Sequence, residues 1–179
     1  FDNKKNLYLI DGPSNYIKED LKLYFENGRY NSKSKKGFFS KNNYIVDNDF
    51  ILQSDMFITD EENNIEAIDN VSLVNEDEKI FIVSGYALLN DSVRYFTETP
   101  KISFLNKDDT LNINSEIVFS KKNILISHKD VKIISKNLIG KCDSLSFNQN
   151  DSLIKLYGSP VIWAGGYQIT SDTIILTYF

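Results

Sequence analysis

At 179 residues, 41% hydrophobic and 25% charged, the chain is long enough for one domain or two small ones and can bury a core. Its 20 Lys+Arg against 25 Asp+Glu give a net charge of −5, which argues against a nucleic-acid binder with its usual basic excess. Alanine occurs only at Ala67, Ala87 and Ala164 and methionine only at Met56, while Ile, Asn, Ser, Tyr and Phe are abundant; a helical bundle is excluded.

Taken in chain order, the first candidate element is Lys18 to Glu26, where Leu21, Leu23 and Phe25 alternate and predict a strand. Up to residue 69 the pattern is less regular, with insertions around Asn31 to Lys36 and Asp60 to Asn64. From there period-two alternation dominates. Val71/Leu73, Ile102/Phe104, Leu111/Ile113, Ile124/Ile126, Val131/Ile133, Leu145/Phe147, Ile154/Leu156 and Val161/Trp163 each place apolar side chains two apart, so that each segment offers one apolar face. Between them Asn106 to Asp109, Lys121 to Asn123, Asn148 to Asp151 and Gly165-Gly166 read as hairpin turns.

The segments repeat. Asn70-Val71, Pro100-Lys101, Asp130-Val131 and Pro160-Val161 stand 30 residues apart, and each is followed by a strand, a polar turn and a second strand with a small residue and an acid. Asp55, Glu116, Asp143 and Asp172 recur at this one place. Recurrence of that kind predicts a structural turn or edge role over paired catalytic carboxylates, and the repeat as a whole predicts stacked β-units. A stack of such hairpins must pack sheet on sheet or enclose an apolar trough, and it leaves unpaired strand edges at its ends.

Catalytic chemistry finds no foothold. His128 is the only histidine and has no Cys or Asp partner at metal-ligand spacing. Cys142 excludes an intramolecular disulfide and reads as a small buried residue. Asp60 to Asn64 and Glu76 to Glu78 lack the Gly and terminal Glu of a calcium loop. No Gly-rich phosphate loop is present, and no run approaches the roughly 18 apolar residues of a membrane span. The expectation is no enzyme, no cofactor and no metal. The start at Phe1 reads as a mature chain or a fragment of a longer one.

Three segments carry a family resemblance: Gly140-Lys-Cys-Asp143-Ser-Leu-Ser-Phe147, then Asp151-Ser-Leu-Ile-Lys-Leu-Tyr157-Gly-Ser-Pro160-Val-Ile-Trp163, then Gln168-Ile-Thr-Ser-Asp172-Thr-Ile. Together they resemble the OstA-like (LptA-related) family, closely over residues 129–179, more loosely back to about residue 70, and weakly over 1–69. Ala164-Gly165-Gly166-Tyr167 departs from the more polar turn of the family pattern. The resemblance implies an all-β fold of repeated antiparallel hairpins stacked as an open, twisted β-jellyroll, the β-taco, over residues 1–179. It implies a periplasmic component that binds lipopolysaccharide through the acyl chains of lipid A and bridges inner and outer membranes. It also implies end-to-end strand addition to related transport components or to further copies of itself. The acyl groove would be lined by Val71, Leu73, Ile102, Phe104, Leu111, Ile113, Val131, Ile133, Leu145, Phe147, Ile154, Leu156, Val161 and Trp163, with Lys101, Lys129 and Lys132 at the rim to meet phosphates. The alternative from the residues alone is a β-repeat adhesion or carbohydrate-associated module with a filled core and no lipid groove.

Overall fold

The computed structural model describes residues 6–18, 21–47, 50–62, 64–77, 79–90, 92–106 and 109–177. Parts of the turns expected at Asn106 to Asp109, Asp60 to Asn64 and Glu76 to Glu78 lie outside them. Every regular element among the described residues is a strand. In chain order they are β1 (Leu7–Lys18), β2 (Leu21–Asn31), β3 (Lys36–Ser40), β4 (Tyr44–Val46), β5 (Ile51–Gln53) and β6 (Met56–Thr59). Then come β7 (Ile65–Asn75), β8 (Ile80–Leu89), β9 (Arg94–Thr97), β10 (Lys101–Leu105), β11 (Thr110–Asn114) and β12 (Ile117–Lys121). The last are β13 (Ile124–Ile134), β14 (Leu138–Asn148), β15 (Leu153–Tyr157), β16 (Val161–Ala164), β17 (Tyr167–Thr170) and β18 (Thr173–Thr177).

Antiparallel pairing arranges these strands in two walls. The first runs β1–β2–β4–β5–β7–β8–β10–β11–β13–β14–β16–β17. The second runs β1–β2–β3–β6–β7–β8–β9–β12–β13–β14–β15–β18. The six long strands β1, β2, β7, β8, β13 and β14 belong to both walls, one half in each, and the short strands belong to one. All crossings from wall to wall fall along one seam. On the opposite side each wall ends in a row of hairpin turns, its lip.

The seam has a two-for-one construction. On one strand two residues bend the chain; on its neighbour a single residue lies opposite them, which is the count of a β-bulge. The ladders skip from Ile68 to Val71 and from His128 to Val131, leaving Asp69-Asn70 opposite Gly85 and Lys129-Asp130 opposite Asp143. The bending residues are left-handed: Lys41 and Asn42 (φ 66° and 52°), Asp69 and Asn70 (60° and 49°), Glu98 and Thr99 (61° and 59°), Lys129 and Asp130 (64° and 46°), and Gly158 and Ser159 (75° and 53°). Gly12, at φ 108°, serves β1 in the same place. Asn, Asp and Gly tolerate this region best, which accounts for six of these positions. The corners recur every 28 to 31 residues from Gly12 onward, so the first half of the chain, expected to be less regular, follows the same plan. The 30-residue anchors of the sequence are the second corner residue or the one just after it.

The single residues opposite the corners are Glu26, Asp55, Gly85, Glu116, Asp143 and Asp172, and the recurring acids find their role here. The backbone N–H of Glu26, Asp55, Gly85 and Glu116 donates to the carbonyl of Lys41, Asp69, Glu98 and Lys129, respectively. Two of the carboxylates also take the corner amide: Asn42 Nδ2 donates to Glu26 at 2.7 Å and Asn70 Nδ2 to Asp55 at 2.7 Å. Lys41 adds an ion pair to Glu26 at 2.8 Å, and these contacts hold the Glu26 carboxyl below its ordinary range. The acids brace bends; they are distributed along the seam and do not converge. Just before each sits an inward residue, in most units small: Phe25, Ser54, Ser84, Ser115, Cys142 and Ser171.

Candidate functional site

The space between the walls is built from alternate residues of every strand. On the first wall one inward file crosses from Leu23 through Ile45, Leu52, Leu73, Ile82, Ile102, Ile113 and Ile133 to Gly140 and Ile162, each residue paired with the next. On the second wall the matching file crosses from Gly28 through Phe39, Phe57, Ala67, Ala87, Phe96, Val118 and Ser127 to Leu145 and Leu156. Apart from Gly140 the first file is branched aliphatic; the second combines Phe39, Phe57 and Phe96 with the small residues Gly28, Ala67 and Ala87 before it turns aliphatic and polar at Val118, Ser127, Leu145 and Leu156. A Cβ on Gly28 would stand 2.8 Å from the Phe25 ring and 3.1 Å from that of Phe39.

Twelve of the fourteen residues expected on the groove wall do face inward and are buried: Val71, Leu73, Ile102, Phe104, Leu111, Ile113, Val131 and Ile133 on the first wall, Leu145, Phe147, Ile154 and Leu156 on the second. Val161 and Trp163 do not. Trp163 is 40% exposed on the outer face, where its Nε1 donates to Gln168 at 2.9 Å, and Ile162 fills the inward place at 1% exposure. The run Val161-Ile-Trp163 is apolar on both faces, so alternation alone could not phase it; the corner at Gly158-Ser159 does. The same ambiguity affects Ile124-Leu-Ile126, where Leu125 is the buried residue. The alternation of Leu23 and Phe25 marks the buried face of β2, though neither was placed on the groove wall, and the inward Phe39, Ile45, Leu52 and Phe57 of the first half were missed. The corner spacing back to Gly12 was the signal for them.

The rim lysines need correction as well. Lys129 is a seam residue paired with Glu116 at 3.6 Å, and Lys132 is on the outer face, paired with Asp130 at 2.8 Å. Lys101, opposite Val83 and Asn114, shares that outer face. None of the three stands at a lip. His128, before a corner of β13, is exposed, and no group of three or more His, Cys, Asp or Glu among the described residues is arranged to hold a metal.

The walls touch. Phe104 meets Phe147 with ring centroids 4.7 Å apart, Phe25 meets Phe39 at 4.6 Å, and the Arg94 guanidinium of the second wall lies 4.1 Å above the Phe50 ring of the first. Two buried polar groups interrupt the apolar interior without a hydrogen-bond partner among the described residues, the Ser127 hydroxyl and the Asn43 amide. Burial also pushes the Cys142 thiol up to about 11, which disfavours the thiolate at neutral pH. The end of the stack is open: among the described residues β17 pairs with β16 alone and β18 with β15 alone, and the inward Ile169 of β17 is 51% exposed. At the other end β1 forms the edge of both walls.

No family model matches the sequence, and no curated protein matches it. A solved structure does: LptH, described as the LptA-homologous periplasmic component of the conserved lipopolysaccharide transport device of Pseudomonas aeruginosa. It matches with a TM-score of 0.55 at 11% identity, over 72% of this chain and 94% of that one. The chain has an LptA-like β-jellyroll fold. At this identity the likeness is one of fold alone.

Proposed function

We propose that this protein is a periplasmic, non-enzymatic bridge component that binds lipopolysaccharide between its two walls and hands it along a chain of similar β-jellyrolls. The observation that carries this reading is the continuous inward apolar file on each wall of an LptA-like fold. Among the described residues the chain crosses between these walls only along one seam, so parting the lips would separate side-chain contacts such as Phe104–Phe147 and break no strand pairing. Each acyl CH₂ taken from water into that space contributes about 0.8 kcal/mol, and no specific polar constellation is required. The unpaired edges of β1 at one end and of β17 and β18 at the other fit strand addition by neighbouring components or further copies.

A photocrosslinking amino acid at Phe104, Ile133 or Leu156 is expected to label lipopolysaccharide, and one at Ser103, Lys132 or Lys155 is not. Equal labelling of both faces would sink the reading. The packed interior favours a second reading, a β-repeat adhesion or carbohydrate-associated module with a permanently filled core. Lipopolysaccharide that co-purifies with the chain excludes it.

A further inference from the structure

Three corners of the first wall are built alike and carry different side chains. The outward residue after each corner pairs with the residue two places before a seam acid: Tyr44 with Gln53, Lys101 with Asn114, and Val161 with Thr170. Between corner and outward residue stand Asn43, Pro100 and Pro160, all buried. The surroundings of the second corner are ionic, with Lys129 on Glu116 at 3.6 Å and Lys132 on Asp130 at 2.8 Å. Those of the first are carboxamides. Asn42, Asn43, Gln53 and Asn70, together with Tyr44, line an open recess of about 600 Å³ at the seam. Tyr44 and Gln53 alternate with the buried Ile45 and Leu52, so the recess faces outward, on the side of the molecule away from the lips.

The hydrogen-bonding capacity of this recess is only partly used. Asn42 Nδ2 donates to Glu26 and Asn70 Nδ2 to Asp55, which fixes both side chains, while their Oδ1 atoms and the Gln53 amide bond to nothing among the described residues. Asn43 is 5% exposed, and neither its amide nitrogen nor its oxygen has a partner. A carboxamide donates and accepts at once, as a hydroxyl does, so neighbouring carboxamides match neighbouring hydroxyls. Lys41 is already paired with Glu26 at 2.8 Å and Asp55 also lines the recess, a combination that disfavours an anion. On the same outer face the Tyr44 ring stacks on that of Tyr24, its neighbour across the ladder, with centroids 4.7 Å apart and planes at 14°. Such a surface suits the apolar C–H face of a ring.

We infer that this recess binds an uncharged sugar, a pyranose whose hydroxyls meet the carboxamides and whose apolar face meets the tyrosines. The inference does not rest on the lipid-binding reading: a lipid held between the walls would present its headgroup at the lips, on the opposite side.

The test titrates the full chain with two neutral disaccharides, cellobiose and N,N′-diacetylchitobiose, and follows amide resonances. Either sugar is expected to shift residues 41–44, 53–55 and 69–70 saturably and to leave the like-built corner at 98–101 and 114–116 in place. Binding of either supports the site, and the tighter of the two shows whether a plain or an acetamido sugar fits. Gln53→Ala, at an exposed position, should weaken binding about fivefold, the scale of one neutral hydrogen bond. Asn43→Val installs the residue that follows the corners at Asn70 and Asp130, and should weaken binding by a similar factor without lowering the urea midpoint. Three results overturn the site: no saturable shift with either sugar, equal shifts at the two corners, or parental affinity in the folded Gln53→Ala/Asn43→Val double variant.

Discussion

Phe104 of the first wall and Phe147 of the second meet edge to face, with centroids 4.7 Å apart and ring planes at 68°. Both rings sit near the lips, far from the seam, so this pair works at the longest lever arm against opening. Phe104→Ala is expected to cost about 3–5 kcal/mol in urea denaturation. A double-mutant cycle with Phe147→Ala should return a coupling of about 0.5–1.5 kcal/mol. If lipid enters by parting the walls, Phe104→Ala should also take it up faster than the parent; slower uptake would speak against entry through the lips.

Gly158 offers a test of the seam. Its φ is 75°, and a Cβ there would run into the Asp143 carboxylate on the neighbouring strand. Gly166, in the β16–β17 hairpin, has φ 82° with nothing within 4 Å. Gly166→Ala should therefore cost about 1 kcal/mol, the backbone penalty alone, and Gly158→Ala about 2 kcal/mol or more. Asp143 Cβ as well as its carboxylate lies in the way, so adding Asp143→Gly, which removes both, should recover the steric part relative to the Asp143→Gly single variant in thermal melts. Equal costs at the two glycines would mean that the corner is not close-packed.

Cys142 stands where Ser54, Ser84, Ser115 and Ser171 stand in the other units, so Cys142→Ser should change stability by less than about 1 kcal/mol. The thiol also sets an alkaline limit. Burial raises its folded pKa to about 11, so the folded state keeps a proton that the unfolded chain gives up sooner. This contribution is complete below the unfolded thiol pKa and is lost as the pH rises through that value towards 11. The serine variant should lack this limb of the pH–stability curve. Rapid modification of native Cys142 by a thiol reagent at pH 7 would contradict its burial.

Trp163, the sole tryptophan, reports which face of β16 is which. With its ring 40% exposed and Lys141 Nζ 6.0 Å from it, native fluorescence should be readily quenched by acrylamide and little changed when lipid binds. A photocrosslinker at Ile162 should label lipid and one at Trp163 should not. Blue-shifted, quencher-resistant emission would put Trp163 inside.

The contrast between Leu145-Ser-Phe147 and Val161-Ile-Trp163 shows what in this fold was readable from residues alone. Where polar and apolar side chains alternate, as at Ile102-Ser-Phe104 or Val131-Lys-Ile133, the inward face follows from period two, and the apolar members Ile102, Phe104, Val131 and Ile133 all face the interior. Where every residue is apolar, the phase is set by the preceding corner, and that corner is a matter of backbone angles. The recurring acids were visible as a repeat, but their work required the left-handed pairs opposite them, and Lys41-Asn42 bears little likeness in sequence to Gly158-Ser159.

The two-for-one seam makes length itself a quantised property of this protein. A residue added or lost in a hairpin at a lip changes only a loop. The same change at a corner swaps inside for outside along the rest of that strand, because the side-chain period is two. Removal of one whole interval from corner to corner, by contrast, rejoins a two-residue bend to a one-residue partner and leaves the alternation as it was. Such a chain can lengthen or shorten in evolution in the manner of a zip fastener, tooth pair by tooth pair, while the packed interior between its walls keeps the same inward alternation.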